Sequence, residues 1–255
     1  HNQLTCDVAA LTAGSSTYGS YCTPKGRVLA TFLLWRSGED FFLQLPSPLR
    51  EPIQKRLTKF ILRAKVKATD ASGEWTILGV AGAQATRLVQ RAAGHAPQGI
   101  HEVSQTKDTT VIRLPGDRYE IVVLRDASKG ILDSLSDGAS KVDPDYWDWL
   151  DIHAGVPVIL PATQEAFVPQ MVNLDLIGGV SLTKGCYPES GLGSGLEVSV
   201  FHLPLPPGLV GDFLNGREEI LEDRARSEVN LRVDLHAGDE AQLPWRRLSV
   251  TTVPN

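Results

Sequence analysis

Cysteine is scarce in these 255 residues, and its spacing excludes more than its number does. Cys6, Cys22 and Cys186 are odd in number, far apart, and form no CxxC pair. That argues against a disulfide framework and against a zinc ribbon, and it favours a reducing compartment. Long apolar runs are missing too. No stretch reaches the roughly 18 residues of a transmembrane helix, and no basic, apolar leader opens the chain. Neither sign of charge is in large excess: 25 Lys and Arg face 30 Asp and Glu, for a formal charge of −5. This balance opposes broad nonspecific nucleic-acid binding but not a local basic patch. None of the six histidines stands in HExxH or HxH spacing. GxSxG, GxGxxG and GxxxxGK[ST] are also absent. Zincin, serine-hydrolase, dinucleotide-binding and P-loop readings therefore have no support here. What remains is the composition of an ordinary soluble globular protein, long enough for one large domain or two to three small ones.

The pattern that is present alternates strands and helices. Val28–Trp35 and Asp40–Leu45 read as strands joined by a turn at Ser37-Gly38. Ser47-Pro48 then supplies an N-cap with proline at the first helical position, followed by Leu49, Ile53, Leu57, Phe60 and Ile61 at helical spacing. Pro52 is expected to distort the first turn. Lys65–Thr69 and Glu74–Val80 read as a second strand pair, with a helix over Ala83–Arg91. Thr109–Leu114 and Tyr119–Leu124 form a third pair around Pro115-Gly116-Asp117, with a helix near Ser128–Leu135. Asp143-Pro144 opens the clearest helix. On it Tyr146, Trp149, Leu150 and His153 are expected to share the apolar face, and Gly155 and Pro157 end it. Strand, strand, helix, repeated, predicts an α+β fold with mixed or antiparallel sheets and helices on one face.

From Glu197 onward the character changes. Leu203-Pro204-Leu205-Pro206-Pro207 reads as a linker. Val229–Leu235 and Trp245–Thr252 read as strands of a small β-rich C-terminal domain, residues 189–255. Residues 1–70 and 71–188 are expected to form two α+β lobes before it. The start at His1-Asn2-Gln3 falls inside what reads as an element, and the junction Pro188-Glu189-Ser190 is abrupt. Both are expected to mark segments missing from this sequence.

One stretch stands out chemically: Lys184-Gly185-Cys186-Tyr187-Pro188. In an extended segment residues i and i+2 lie on the same side, so the Lys184 ammonium can stabilise a Cys186 thiolate and lower its pKa. The alternative is a cysteine that is simply a small buried hydrophobe. Lys55, Arg56, Lys59, Arg63, Lys65 and Lys67 make a basic cluster, read either as a solvated helix face or as a contact for RNA or an acidic partner.

With these segments placed, the chain resembles the folate-binding YgfZ family, kin of the glycine-cleavage aminomethyltransferases (T-proteins) and of the mitochondrial iron–sulfur assembly factors. The resemblance rests on Gln3-Leu4-Thr5-Cys6-Asp7-Val8, Cys22-Thr23-Pro24-Lys25-Gly26-Arg27, Leu78–Gly82 and Ile152-His153-Ala154-Gly155-Val156-Pro157. It continues in Pro169-Gln170, Asn173-Leu174-Asp175, Gly178-Gly179-Val180-Ser181 and Lys184-Gly185-Cys186-Tyr187. The order is kept to about residue 188, and the Lys-Gly-Cys-Tyr segment is the most specific part. In that family a Gly-Gln-Glu and a strand follow the cysteine and tyrosine, whereas here Pro188 runs into Glu189-Ser190. An N-terminal strand and helix also precede the segment matching Gln3.

The resemblance implies a T-protein-like folate-binding fold with a small C-terminal β-barrel-like domain. It implies tetrahydrofolate as the cofactor, no stably bound metal, and no membrane. Its partners would be iron–sulfur enzymes or assembly proteins, with tRNA contact indirect. The compartment would be the bacterial cytoplasm, or the mitochondrial matrix in a eukaryote. Cys186, tuned by Lys184 and shaped by Tyr187, would be the functional thiol. Glu120 matches the Phe-Glu-Ile position that holds the pterin, and Lys25 and Arg27 suit the anionic glutamate tail or a partner. Asp7, Gln170 and Asn173 are expected either to line the cavity or to satisfy buried backbone groups. Tyr146, Trp147 and Trp149 could stack on a pterin or pack in the core. His153 is expected to be a core or cap histidine. Leu29 and Ala30 stand where the transferases carry aspartates, and Asp151-Ile152-His153 replaces their Arg-x-Glu. Both departures point away from aminomethyl transfer, which stays as an alternative beside an RNA- or protein-interaction module.

Overall fold

Two β-sheets facing each other, with most of the described helices packed outside, make up the computed structural model, which describes residues 4–60 and 66–181 and the backbone of 247–251. All of these fall in one compact unit, His1–Gly191 with Gln242–Asn255. The first sheet is an antiparallel meander of β1 (Ser16–Cys22), β2 (Val28–Ser37) and β3 (Asp40–Gln44). β2 is apolar on both faces and buried from Val28 to Trp35. A central strand covered on both sides has this continuous pattern. The β1–β2 turn is built by Thr23, whose Oγ1 accepts from the amides of Lys25 and Arg27 at 3.3 and 3.2 Å. Gly26 supplies the positive φ of 85° that a side chain would resist.

α1 (Ser47–Thr58) buries Leu49 and Ile53 against this sheet. Its N-cap is Pro46, one residue earlier than the sequence suggests, and no side chain caps it. Of the expected strand Lys65–Thr69, the described residues 66–69 form no strand. Residues 66–70 are irregular, and Val66 is 64% exposed. β4 (Trp75–Ala81) pairs antiparallel with β7 (Arg118–Leu124) on one side and parallel with β9 (Arg247–Thr251) on the other.

The second sheet has the order β5-β6-β7-β4-β9-β8, where β5 is Val103–Gln105, β6 Thr109–Leu114 and β8 Ser140–Val142. The strand expected over Trp245–Thr252 is thus present as β9, within this mixed sheet. The rest of 189–255, including the expected strand Val229–Leu235, lies outside the described residues. Period-2 alternation splits the sheet's side chains cleanly. Leu78, Val80, Tyr119, Ile121 and Val123 face a cluster with α2 (Ala85–Ala93) and α3 (Ser128–Ser136). Ala81, Ile112, Leu114 and Val122 face the other way, into a cluster shared with Tyr18, Leu33 and Trp35 of the first sheet and Trp147 of α4 (Pro144–His153). Arg118 and Glu120 share the parity of Val122 and so belong to this inter-sheet side.

α4 starts where the sequence places it, with the Asp143 carboxylate accepting from the Asp145 amide at 2.9 Å and Pro144 in the first turn. Its buried face is not the expected one. Trp147 and Asp151 are buried, while Tyr146 and His153 are exposed and Trp149 is half-buried. Gly79 explains the choice. A Cβ there would sit 2.4 Å from two carbons of the Trp147 ring, so only glycine lets α4 seat its indole on β4.

His101 links the two sheets at another point. Its backbone oxygen accepts from the Ser16 amide at 2.8 Å, and its ring meets Tyr18 edge-on at 4.9 Å. Burial holds its pKa below the usual histidine value. A depressed histidine pKa gives stability that is complete above the unfolded value of about 6.5. That stability is lost as pH falls toward the folded value. We expect the melting temperature to drop more steeply from pH 7 to pH 5 in the native protein than in His101→Asn, which keeps a residue suited to the positive φ of 64°. Parallel slopes in thermal melts across that range would remove the histidine from the account.

Candidate functional site

Where the two sheets and α4 converge lies an open cleft with a cavity volume of about 50 Å³. Its walls are apolar: Phe32 and Leu33 from β2, Leu114 from β6, Val156 and Pro157 after α4, and Leu174. Its polar groups are mostly acceptors. Glu120 comes from the middle of β7, Asp148 and Asp151 from α4, and Gln44 from the end of β3.

Glu120 is 1% exposed, far from the usual place of a charged strand residue. Its neighbours in register are Gly79 on one side and Ile112 on the other. The Gln44 amide donates to Glu120 Oε1 at 3.4 Å, tying the two sheets together at the cleft. This carboxylate is a buried acceptor beside apolar walls.

Arg118, two residues earlier, is fully buried. Its Nη1 donates to Asp151 Oδ1 at 2.8 Å, its Nε donates to the Pro115 carbonyl at 2.8 Å, and its guanidinium lies 5.1 Å from the Trp147 ring centroid. The ion pair fixes the Asp151 carboxylate at the cleft wall. Neither residue stood out in the sequence as a site. The signal was there in two parts: the shared parity of residues 118 and 120 on one strand, and the i, i+4 spacing of Trp147 and Asp151 on one helix face.

Of the residues singled out from sequence, the structure brings Glu120 to the cleft. Trp147 packs behind it in the core, 1% exposed. Asp7 caps a local turn, its Oδ1 accepting from the amides of Ala9 and Ala10 at 2.9 and 3.2 Å. Lys25 and Arg27 lie exposed at the β1–β2 turn, where Arg27 donates to the Ala166 carbonyl at 3.2 Å. Gln170 and Asn173 are exposed on a 3-10 turn (Pro169–Val172) that Asn173 ends with a φ of 55°. None of these six lines the cleft. Lys184, Cys186 and Tyr187 lie outside the described residues. The described chain reaches Ser181, whose amide donates to the Thr5 carbonyl at 2.9 Å, while Thr5 Oγ1 donates to the Gly179 carbonyl at 2.7 Å.

Cys6 and Cys22 are buried in the first sheet's core. Among the described residues no group of three or more His, Cys, Asp or Glu could hold a metal ion, and no helix is long and apolar enough to cross a membrane. In the basic cluster, Lys55 pairs with Glu51 one turn away, and Arg56, Lys59 and Lys67 are exposed. Arg63 and Lys65 fall outside the described residues.

The chain is 34% identical over 188 residues to the tRNA-modifying protein YgfZ of Serratia proteamaculans, a match covering 72% of this chain and 56% of that protein. The chain is similar in sequence to YgfZ. The YgfZ of Colwellia psychrerythraea is 32% identical over 189 residues, covering 72% of this chain and 57% of its own length. The chain therefore spans little more than half the length of these YgfZ relatives. Among solved structures, an aminomethyltransferase T of the glycine cleavage system from Bartonella henselae matches with a TM-score of 0.43 and 20% identity, over 52% of this chain and 38% of that one. No family model matches the chain.

Proposed function

We propose that this chain is a folate-binding accessory protein that supports iron–sulfur enzymes, among them enzymes that modify tRNA. The single observation that carries the folate reading is the buried Glu120 carboxylate at an apolar cleft between two sheets. A reduced pterin is a flat ring whose aminopyrimidine edge presents N–H donors. Its faces suit Phe32, Leu33 and Leu114, and its edge suits a carboxylate that cannot be reached by bulk water. The residues present therefore fit the group. Bound tetrahydrofolate would supply a one-carbon carrier. Glu120 would orient the pterin, and Gln44 would hold the carboxylate in place.

The likeness to proteins named tRNA-modifying supports the tRNA-linked part of the reading. Lys184, Cys186 and Tyr187 are proposed as the thiol motif, with the ammonium favouring the thiolate. Leu29 and Ala30 are 2% and 0% exposed, apolar and unable to move a proton, so no aminomethyl transfer is proposed.

Calorimetric titration of the full-length protein with tetrahydrofolate tests the binding step. Saturable one-to-one binding is expected. A folded protein that releases no heat and shows no binding by equilibrium dialysis would end the folate reading. The thiol role is tested separately in cells: Cys186→Ser is expected to lower the activity of iron–sulfur enzymes, and full activity would remove it.

A further inference from the structure

α4 turns two unlike faces to its surroundings. Trp147 and Asp151 point inward, with Leu150 half-buried beside them. At about 3.6 residues per turn the opposite arc carries Asp145, Trp149, Ile152 and His153, with Tyr146 at its margin. Ile152 is 61% exposed and Tyr146 36%. Three rings run along this surface. Tyr146 and Trp149 stack at 5.3 Å and 20°, and Trp149 meets His153 at 3.8 Å. The His153 Nδ1 lies 3.1 Å from the Trp149 carbonyl, which steadies the last ring. Apolar surface of this kind, rimmed by polar groups, marks interaction sites.

Charge decides what it can dock. From Asp143 to His153 the chain holds four aspartates and no lysine or arginine. Asp151 is engaged by Arg118 and Asp148 lines the cleft, while Asp143 and Asp145 are exposed. A nucleic-acid backbone, whose binding depends on cations at its phosphates, is repelled by such a face. A guanidinium is attracted twice, by the rings and by the carboxylates.

We propose that the outer face of α4 docks a protein partner through a segment presenting arginine beside apolar side chains. The guanidinium packs on the open side of the Tyr146–Trp149 stack and bonds to an aspartate, while the apolar neighbours cover Ile152. This surface is independent of the folate reading, because it needs no ligand in the cleft.

The test places a photo-crosslinking residue at Ile152 in the full-length protein, in cells, and maps the crosslinked peptide. The partner so found is purified and titrated against the native protein, Asp145→Lys and Ile152→Lys, whose melting temperatures are expected to stay native because both positions are exposed. The proposal expects a crosslink within a few residues of an arginine in another protein. It also expects affinity to fall at least tenfold in either variant, and to be regained by Asp145→Lys when that arginine is replaced by glutamate. Crosslinks to RNA or to another segment of this same chain overturn it. So does the absence of any crosslink, or an affinity that neither variant changes by more than twofold.

Discussion

Arg118→Ala is expected to cost about 3–5 kcal/mol of folding stability, the usual consequence of stranding one member of a buried ion pair. Arg118 and Asp151 meet at 2.8 Å with side chains 1% and 9% exposed. Removing the guanidinium leaves Asp151 without its cation, frees the Pro115 carbonyl, and takes a cation from the Trp147 face. Against a total stability of about 5–15 kcal/mol, such a loss is large enough to be read as a shifted urea midpoint at unchanged slope. The pair itself is a weaker asset than either partner alone is a liability. Replacing both, as Arg118→Met with Asp151→Leu, is expected to recover most of the loss, because no charge is then stranded. A single substitution costing less than about 1 kcal/mol would mean that water solvates the site and that Asp151 is not fixed by the pair.

Glu120→Gln is expected to weaken tetrahydrofolate binding by about 10- to 100-fold. That is the scale of about 1.5–3 kcal/mol carried by hydrogen bonds to a charged group. The substitution keeps the shape of the side chain and lets it still meet Gln44. It removes the charge and turns one acceptor into a donor facing the donors of the aminopyrimidine edge. Melting temperature is expected to change little, which separates a lost ligand contact from a damaged fold. Unchanged affinity in a folded variant would take Glu120 out of the site.

The parts of the fold governed by local pattern were legible. β2 announced itself by its apolar run and its Ser37-Gly38 turn, and α4 by Asp143-Pro144. What could not be read was the outcome of contacts between distant segments. Tyr146, Trp149 and His153 and the alternative set Trp147, Leu150 and Asp151 both recur at helical spacing. The second set is inside because Gly79, far upstream, opens space for Trp147, and because Arg118 waits for Asp151. Lys65–Thr69 alternates like a strand, yet the neighbours of β4 are β7 and β9. For the site, the family resemblance singled out Glu120, but its burial follows from parity on β7 and from the facing sheet. Gln44 and Asp151 carried no motif of their own.

The central claim is that the pterin sits between the two sheets against Glu120. Intermolecular NOEs between the C7 protons of bound tetrahydrofolate and protein methyl groups test it most directly. The account predicts contacts to the methyls of Leu33, Leu114 and Leu174, which line the cleft. Tetrahydrofolate bound with contacts only to methyls elsewhere in the protein would contradict it.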